Sequence, residues 1–265
     1  MLLRNRNAVI YGGGGAIGGA VARAFAWEGA NVFLAGRTLA RLERVADDIA
    51  SVGGRVETDE VDALDEAAID AHADAVAARA GGIDIALNAI GVPHVQGTPF
   101  AELSLHDFEH PVSAYTRSNF LTAKAVSRHM VKRGSGVILT LSTPGARLRG
   151  QGLLGNGVAS GAVEAFSRIL AGELGANGIR VVCLRPEAIP EAAAVSHTRE
   201  VFGRIATKNG TTVEAMLEER ARTATALKRL PVLAEVAYYA AFAASDRGGA
   251  MTGVIANLSC GSLFD

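Results

Sequence analysis

The sequence predicts a single α/β domain built on a doubly wound, seven-stranded parallel sheet flanked by helices. Short apolar runs bounded by glycine alternate with longer segments of helical periodicity, a pattern typical of repeated βαβ units. Hydrophobic residues make up 49% of the 265 residues and aromatic residues only 5%, so the core must be built from Ala, Val, Leu and Ile. No Pro/Ser-rich or like-charged stretch divides the chain, and residues 1–265 are therefore treated as one domain.

The apolar runs predict seven strands, over residues 7–11, 31–35, 55–59, 83–87, 137–141, 180–184 and 254–258. Long Ala-rich helices are predicted over 65–80, 115–133 and 156–177. Small side chains on the last two helices favour close packing, either inside the domain or across a subunit interface. Residues 186–231 are mostly polar and contain no strand pattern, which suggests a substrate lid inserted after a late strand; an ordinary pair of surface helices is the alternative.

Charge and composition favour a small-molecule partner. The net charge is -1 and the 26 basic residues are scattered, so no basic stripe is available for nucleic acid or an anionic membrane. No long apolar segment suggests a secretory signal or a membrane span, and a cytoplasmic location is expected. The two cysteines, Cys183 and Cys260, are interpreted as buried reduced thiols.

A glycine-rich turn follows the first predicted strand and leads directly into an amphipathic helix. Glycines there allow positive φ and bring backbone N–H groups and the helix N-terminus against a pyrophosphate. The order strand, turn, helix predicts a Rossmann fold that binds a nicotinamide dinucleotide. The candidate contacts in the turn are Gly12, Gly14, Gly15, Ile17 and Gly18.

Arg37 follows the second strand, where a dinucleotide fold meets the adenosine ribose. An acid at this place would accept the ribose hydroxyl, whereas Arg suits a 2′-phosphate, so the pattern favours NADP over NAD. A solvated surface Arg is the alternative. Asp62, after the third strand, is a candidate partner of the adenine amino group or a simple turn residue.

Taken together, these segments resemble the short-chain dehydrogenase/reductase family over nearly the whole chain. Residues 12–18 resemble its Gly-x-x-x-Gly-x-Gly turn with Ala16 at the middle Gly, and Asn88-Ala89-Ile90-Gly91 resembles its Asn-Asn-Ala-Gly. Asp62-Ala63, the segment 180–186 with Glu187 in place of a Gly, and Thr252-Gly253 match three further signatures. The resemblance implies additional cofactor contacts at Ala63, Asn88, Gly91, Pro186 and Ile189.

The resemblance also implies a catalytic set of Asn, Ser and Tyr-x-x-x-Lys, in which the Lys cation stabilises the Tyr phenolate. The corresponding positions here are Tyr115 (or Thr116), Thr143, Asn156 and Ser160. None carries the usual residue. No Tyr in the chain has a Lys four positions later.

Two hypotheses follow from these substitutions. In the first, the protein is an NADP-dependent oxidoreductase of a carbonyl or alcohol, in which the Tyr115 phenol and the Thr143 hydroxyl polarise the substrate. In the second, it is a catalytically silent homologue that binds a nucleotide or acyl ligand and supports an active dehydrogenase subunit. Family resemblance implies a homodimer or homotetramer, and a heteromer with an active family member is the alternative.

Three further groups of residues could serve the site. Arg147 and Arg149 follow Thr143 in a Gly-rich loop and are candidates for clamping an anionic group of the substrate, although solvated arginines are commoner there. His94 is the histidine best placed for proton transfer, with a plain loop residue as the alternative. His106 and His110 have helical spacing but lack a third ligand, so no metal site is expected.

Overall fold

The computed structural model describes all residues from Met1 to Asp265 and confirms the predicted fold class. One parallel sheet holds seven strands in the order β3-β2-β1-β4-β5-β6-β7. The strands are β1 (Asn7–Tyr11), β2 (Asn31–Gly36), β3 (Arg55–Glu60), β4 (Ile85–Asn88), β5 (Gly136–Leu141), β6 (Ile179–Pro186) and β7 (Val254–Leu258). The strand order reverses between β1 and β4, so the loops after these two strands diverge and leave a cleft at the carboxyl edge.

Nine α-helices surround the sheet. They are α1 (Ala16–Trp27), α2 (Leu39–Ser51), α3 (Glu66–Ala80), α4 (Leu105–Arg133), α5 (Leu154–Leu174), α6 (Pro190–Val195), α7 (Thr198–Lys208), α8 (Val213–Ala224) and α9 (Leu233–Ala244). No helix is both long enough and apolar enough to cross a membrane.

Two apolar layers fill the space between the sheet and its helices. Helices α1, α2 and α9 bury apolar side chains such as Val21, Leu42 and Ala240 on one face, and α3, α4 and α5 cover the other face. Alanine and β-branched residues dominate both layers because helices must approach a twisted parallel sheet closely. A third, smaller cluster, which includes Ala193, Val213 and Leu217, holds α6, α7 and α8 together.

Several boundaries differ from the sequence prediction. Helix α4 begins at Leu105, ten residues before the predicted start, and runs through Pro111. The N-cap Ser104 starts it, since its hydroxyl accepts from the N–H of Asp107 at 3.1 Å. Pro111 has no N–H to donate to the carbonyl of Asp107, four residues earlier. Gly155 of α5 packs against this carbonyl.

The remaining differences are small. Strand β4 begins two residues after the predicted start, and α5 ends at Leu174, where a 3₁₀ turn over Gly175–Asn177 replaces its predicted last turn. Both cysteines are free thiols; Cys183 is buried as expected, but Cys260 is only half-buried and lies at a φ of 52°. Residues 187–231 contain three helices and no strand.

Candidate functional site

The glycine turn between β1 and α1 is shaped by contacts that only glycine permits. Gly12 has a φ of 83°, and a Cβ there would lie 2.5 Å from the carbonyl oxygen of Ala89. A Cβ on Gly18 would collide with the carbonyl of Gly12, and one on Gly14 would lie 2.8 Å from the Cβ of Arg41. The turn therefore fits tightly between the loop after β4 and the start of α2.

The turn presents main-chain donors to the cleft. Gly15 is the N-cap of α1 and supplies no side-chain cap. The N–H groups of Ala16, Ile17 and Gly18, the first three of the helix, have no acceptor within the chain. Free amides at the positive end of a helix dipole are what a diphosphate requires. The predicted contacts Gly15, Ile17 and Gly18 thus lie where such an anion would bind.

Tyr11, at the end of β1, leaves this cradle open. Its side chain is 1% exposed and packs in the layer shared with α3, α4 and α5, on the opposite face of the sheet from α1. The hydroxyl lies 3.3 Å from Nδ1 of His72. Burial raises the pKa of Tyr11, so the phenol is neutral.

Two arginines flank the turn on the side of β2. Arg37 is exposed directly after β2, and Arg41 is exposed in the first turn of α2, against Gly14. Neither guanidinium has an acid partner, whereas Arg23 and Arg79 nearby are paired with Asp48 and Asp59. The sequence predicts a role for Arg37 but not for Arg41, whose proximity to Gly14 depends on how α2 packs on the turn.

Asp62 and Ala63 follow β3 on the adenine side of the predicted site. One carboxylate oxygen of Asp62 accepts from the N–H of Leu64 at 3.0 Å, so the residue forms a turn, while its other oxygen stays free. Ala63 is buried. Both residues remain predicted adenine contacts.

The loop after β4 is fixed by Asn88. This buried amide donates to Thr122 of α4 at 3.0 Å and accepts from the N–H of Ile90 at 3.1 Å. Both ends of the side chain are therefore used to hold the loop. At Gly91, three residues later, the ring of His197 packs on the Cα, and its Cε1 occupies the place that a Cβ would need.

Three of the four predicted catalytic positions meet in one hydrogen-bonded group. Thr143 Oγ1 accepts from the Gly145 N–H at 3.2 Å and from the Asn156 amide at 3.3 Å, and it lies 2.8 Å from Ser160 Oγ. A hydroxyl oxygen has two acceptor sites, and both are taken, so Thr143 must donate to Ser160. The hydroxyl hydrogen of Ser160 then has no acceptor in the chain.

Tyr115, the fourth position, lies on α4 and reaches the loop after β4. Its hydroxyl accepts from the N–H of Val92 at 3.4 Å, and its ring lies 6.4 Å from that of His94. Burial raises the pKa of Tyr115, and no cation lies beside it to oppose the shift. The side chain is therefore a neutral O–H donor.

A buried cation lies on the same side of α5, but it is already neutralised. Glu164, four residues after Ser160, accepts from the Ser142 hydroxyl at 3.0 Å and pairs with Arg185 at 3.2 Å. Arg185 is fully buried and also pairs with Asp265. Because both carboxylates hold the guanidinium, Arg185 offers no unpaired positive charge to the cluster of Thr143, Asn156 and Ser160.

Glu187, which stands in place of the family's Gly, anchors the segment that follows. Its buried carboxylate accepts from the N–H of Ala188 at 2.9 Å and from the Ser262 hydroxyl at 2.5 Å, and it pairs with Arg220 of α8 at 2.6 Å. Pro186 and Ile189 on either side are buried. The segment 186–231 is thus tied to the end of β6.

The same segment covers the loop after β4 at two points. His197, at the start of α7, packs on Gly91, and Lys208, at its end, donates to the carbonyl of Gly97 at 3.0 Å. Gly97 in turn meets Gly152 of the Gly-rich loop, where a hydrogen bond of 2.9 Å joins their backbones. Three loops therefore close over the carboxyl edge of β4 and β5.

The other predicted candidates are spread around this edge. Arg147 is exposed, 3.8 Å from Asp265, and Arg149 is exposed without an acid partner. His106 and His110 share a face of α4, with their rings stacked at 5.9 Å. No group of three or more His, Cys, Asp or Glu side chains converges as it would around a metal ion.

Comparisons with known proteins show what the chain as a whole is similar to. A family model described as Enoyl-(Acyl carrier protein) reductase matches residues 14–262. D-threitol dehydrogenase of Mycolicibacterium smegmatis is 30% identical over 187 residues, 71% of each protein.

Two solved structures have the same fold. A short-chain type dehydrogenase/reductase from Mycobacterium marinum is 26% identical with a TM-score of 0.84, over 99% of this chain and 97% of that one. An NAD⁺-bound xylitol dehydrogenase, 22% identical, has a TM-score of 0.90 over 98% of this chain and 100% of that one. The latter likeness concerns the fold alone.

Proposed function

The chain belongs to the short-chain dehydrogenase/reductase family of oxidoreductases, and we propose that it is an NADP-dependent reductase of a carbonyl substrate with a non-standard active site. The observation that carries the proposal is the cluster of Thr143, Asn156 and Ser160. Although all three differ from the family pattern, they are assembled at the edge of the sheet where that chemistry takes place.

The cofactor preference rests on the two unpaired arginines. Arg37 follows β2, the Cβ of Arg41 lies against Gly14, and neither exposed guanidinium forms an ion pair within the chain. A 2′-phosphate accepts such bidentate donors, whereas an NAD-specific site needs an acid for the ribose hydroxyl. The free amides of Ile17 and Gly18 would hold the diphosphate.

The protein's own contribution to the reaction is two neutral O–H donors. The hydroxyl hydrogens of Tyr115 and Ser160 are free, and both groups lie at the cleft edge of the helices that follow β4 and β5. Donors fixed before the reaction stabilise the negative charge that develops on a carbonyl oxygen. The bound dinucleotide supplies the hydride. Tyr115 then gives its proton to the oxygen and regains one from solvent.

The direction of the reaction follows from the missing cation. Oxidation of an alcohol needs a base, and the raised pKa of Tyr115 makes its phenolate inaccessible near neutral pH. The neutral phenol can give its proton to the strongly basic alkoxide that reduction produces, and the transient phenolate is then reprotonated by solvent. We therefore propose reduction as the direction favoured near neutral pH, because oxidation would have to start from the phenolate.

We further propose that the protein is a homo-oligomer that assembles through α4 and α5. Phe120 of α4 is 53% exposed, and Val158 and Ile169 of α5 are 41% and 64% exposed. These two long helices pack side by side, so their outer apolar side chains form one surface. Nothing in the fold or in the relatives favours the silent partner subunit, which rests only on the substituted catalytic positions.

Titration of the purified protein with NADPH and NADH, followed by cofactor fluorescence, tests the cofactor assignment. We expect tighter binding of NADPH, and a loss of about tenfold in NADPH affinity in Arg37→Ala, the size of one charge-assisted contact. NADH affinity should not change in this variant. Arg44→Ala, on the same helix as Arg41, is the matched control. Equal binding of both cofactors would reject NADP specificity, and no binding of either would reject the enzyme.

A further inference from the structure

His197 is the one side chain of the lid segment whose ring packs directly on the loop after β4. It precedes α7, and its ring fills the space above the Cα of Gly91. Lys208 fixes the far end of α7 to the same loop, through the carbonyl of Gly97. The contacts of His197 with Gly91 and of Lys208 with Gly97 therefore fix α7 against the loop after β4.

The two histidines that face each other here differ in what their nitrogens do. His94 Nδ1 lies 2.9 Å from the carbonyl of Val92, which can only accept, so this nitrogen carries the proton. Its Nε2 accepts from the amide of Gln96 at 2.9 Å, so His94 has no nitrogen free. His197 lies 6.2 Å away, ring to ring, and neither of its nitrogens bonds to the chain. Nε2 of His72 is fully buried without a hydrogen bond, whereas His197 is half-buried and neither of its nitrogens is among such fully buried atoms.

The imidazole of His197 is neutral at pH 7. Burial lowers its pKa to about 4, and the facing His94 acts in the same direction, while Glu200 on α7 opposes them weakly. A neutral imidazole has one donor and one acceptor nitrogen. Such a group suits a ligand hydroxyl, which also donates and accepts, better than it suits a carboxylate or phosphate.

A polar cavity continues outward from His94. It measures about 250 Å³, and only Pro93, Val95 and Val201 contribute apolar walls. Its polar lining includes His106, His110 and Asp107. The single guanidinium, Arg204, is already paired with Glu200 at 2.7 Å. An anionic ligand would meet an uncompensated carboxylate there, and an acyl chain would meet polar groups that need hydrogen bonds.

We infer that His197 is a substrate-binding residue supplied by the lid, and that it recognises a hydroxyl group of a neutral, polyhydroxylated ketone whose remaining hydroxyls occupy the adjoining polar cavity. This inference rests on the proposed carbonyl reductase function. It assigns a role to a residue that none of the sequence motifs identified, because His197 reaches Gly91 only through the fold of the lid.

The test compares two ketones of equal length, D-xylulose and 2-pentanone, which differ in their hydroxyl groups. NADPH oxidation is followed in the wild type, in His197→Ala and in His197→Gln, which keeps a donor and an acceptor. His129→Gln, far along α4 and paired with Asp74, is the control. We expect activity with D-xylulose only, a KM raised about tenfold in His197→Ala with kcat changed far less, partial recovery in His197→Gln, and no change in the control.

A binding measurement separates this inference from the reaction itself. The carbon-bound ring protons of His197, assigned by their absence in His197→Gln, are followed by NMR in the NADP⁺-loaded protein as D-xylulose is added. We expect the His197 and His94 signals to move with D-xylulose and to stay fixed with 2-pentanone. If they move but no NADPH is consumed, the inference stands and the reductase proposal fails.

Three results would overturn the inference while leaving the reductase proposal intact. The first is an unchanged KM for D-xylulose in His197→Ala. The second is weaker NADPH binding in His197→Ala with an unaltered ketone KM, which would make His197 a cofactor residue. The third is reduction of 2-pentanone as efficient as that of D-xylulose. Failure of D-xylulose to bind at all overturns it as well.

Discussion

The two sides of the cleft satisfy their polar groups in opposite ways. On the cofactor side, the amides of Ala16, Ile17 and Gly18 and the guanidinium groups of Arg37 and Arg41 have no partner in the chain. On the catalytic side, Thr143, Asn156, Glu164 and Arg185 are bonded to one another or to their neighbours. The first side is built to be completed by an anion, and the second is already assembled and offers only a few neutral donors.

This difference fits the proposed non-standard active site. The Tyr-Lys pair that the family resemblance implies would place a charge there, whereas the hydroxyl and amide groups of Thr143, Asn156 and Ser160 bond to each other without needing a counter-ion. Under the proposed function, these positions supply only neutral groups.

The largest effect is expected from a methyl group at Gly12. The Gly12→Ala change combines a φ of 83° with a Cβ placed 2.5 Å from the Ala89 carbonyl. We expect a loss of about 3 to 4 kcal/mol in the free energy of unfolding, measured with urea, together with loss of dinucleotide binding.

Gly53→Ala is the matched control for this change. Gly53 has a φ of 81°, but nothing lies within 4 Å of its Cβ position. It should cost only about 1 kcal/mol, the strain of the left-handed conformation. Equal losses in the two variants would show that the tight fit of the turn against the loop after β4 contributes nothing.

A smaller effect on the free energy of unfolding is expected when the pH is lowered, because His197 is buried against Gly91. The pKa of His197 is about 4 in the folded protein and 6.5 ordinarily, so the unfolded chain takes up the proton first as the pH falls. Stability from this group is complete above pH 6.5 and declines below it, by about 2 kcal/mol at pH 5.

The groups that face His197 are His94 from the loop after β4 and Glu200 on α7, and His110 of α4 acts on His94 in turn. Urea unfolding of His197→Gln should show a flatter decline between pH 6.5 and 5 than the wild type. Parallel curves would mean that the lid does not bury this ring in solution.

The smallest effect is expected at the neutral donors. Tyr115→Phe and Ser160→Ala should each lower kcat for ketone reduction by tenfold or more, on the order of what a positioned acid contributes, with NADPH affinity unchanged. Ser127→Ala removes a hydroxyl further along α4 that bonds to the carbonyl of Lys124 and should have no effect. A full rate in both active-site variants would leave the catalytic side without a proton donor.

Much of the fold followed from local sequence. Asp65 caps α3 with a 3.1 Å bond, as expected for a helix starting there, while Leu42, Val45 and Ile49 bury one face of α2. Thr38 is the N-cap residue of α2, although its hydroxyl makes no cap bond. The predicted start of α4 was wrong, because a proline normally ends or interrupts a helix. Here the helix continues through Pro111, which packs against Gly155.

The candidate site, like the fold, was predicted from the sequence only in part. The order strand, glycine turn, helix predicted the free backbone amides at the start of α1 by itself, because backbone conformation and the helix dipole depend on neighbouring residues alone. The family resemblance selected Thr143, Asn156 and Ser160, which the structure joins by hydrogen bonds. Only the tertiary structure decided that Arg41 lies beside Gly14, that Arg185 is neutralised by Glu164 and Asp265, and that His197 reaches Gly91. These contacts join residues far apart in the chain, and their distances follow from how helices pack on the sheet rather than from any local pattern.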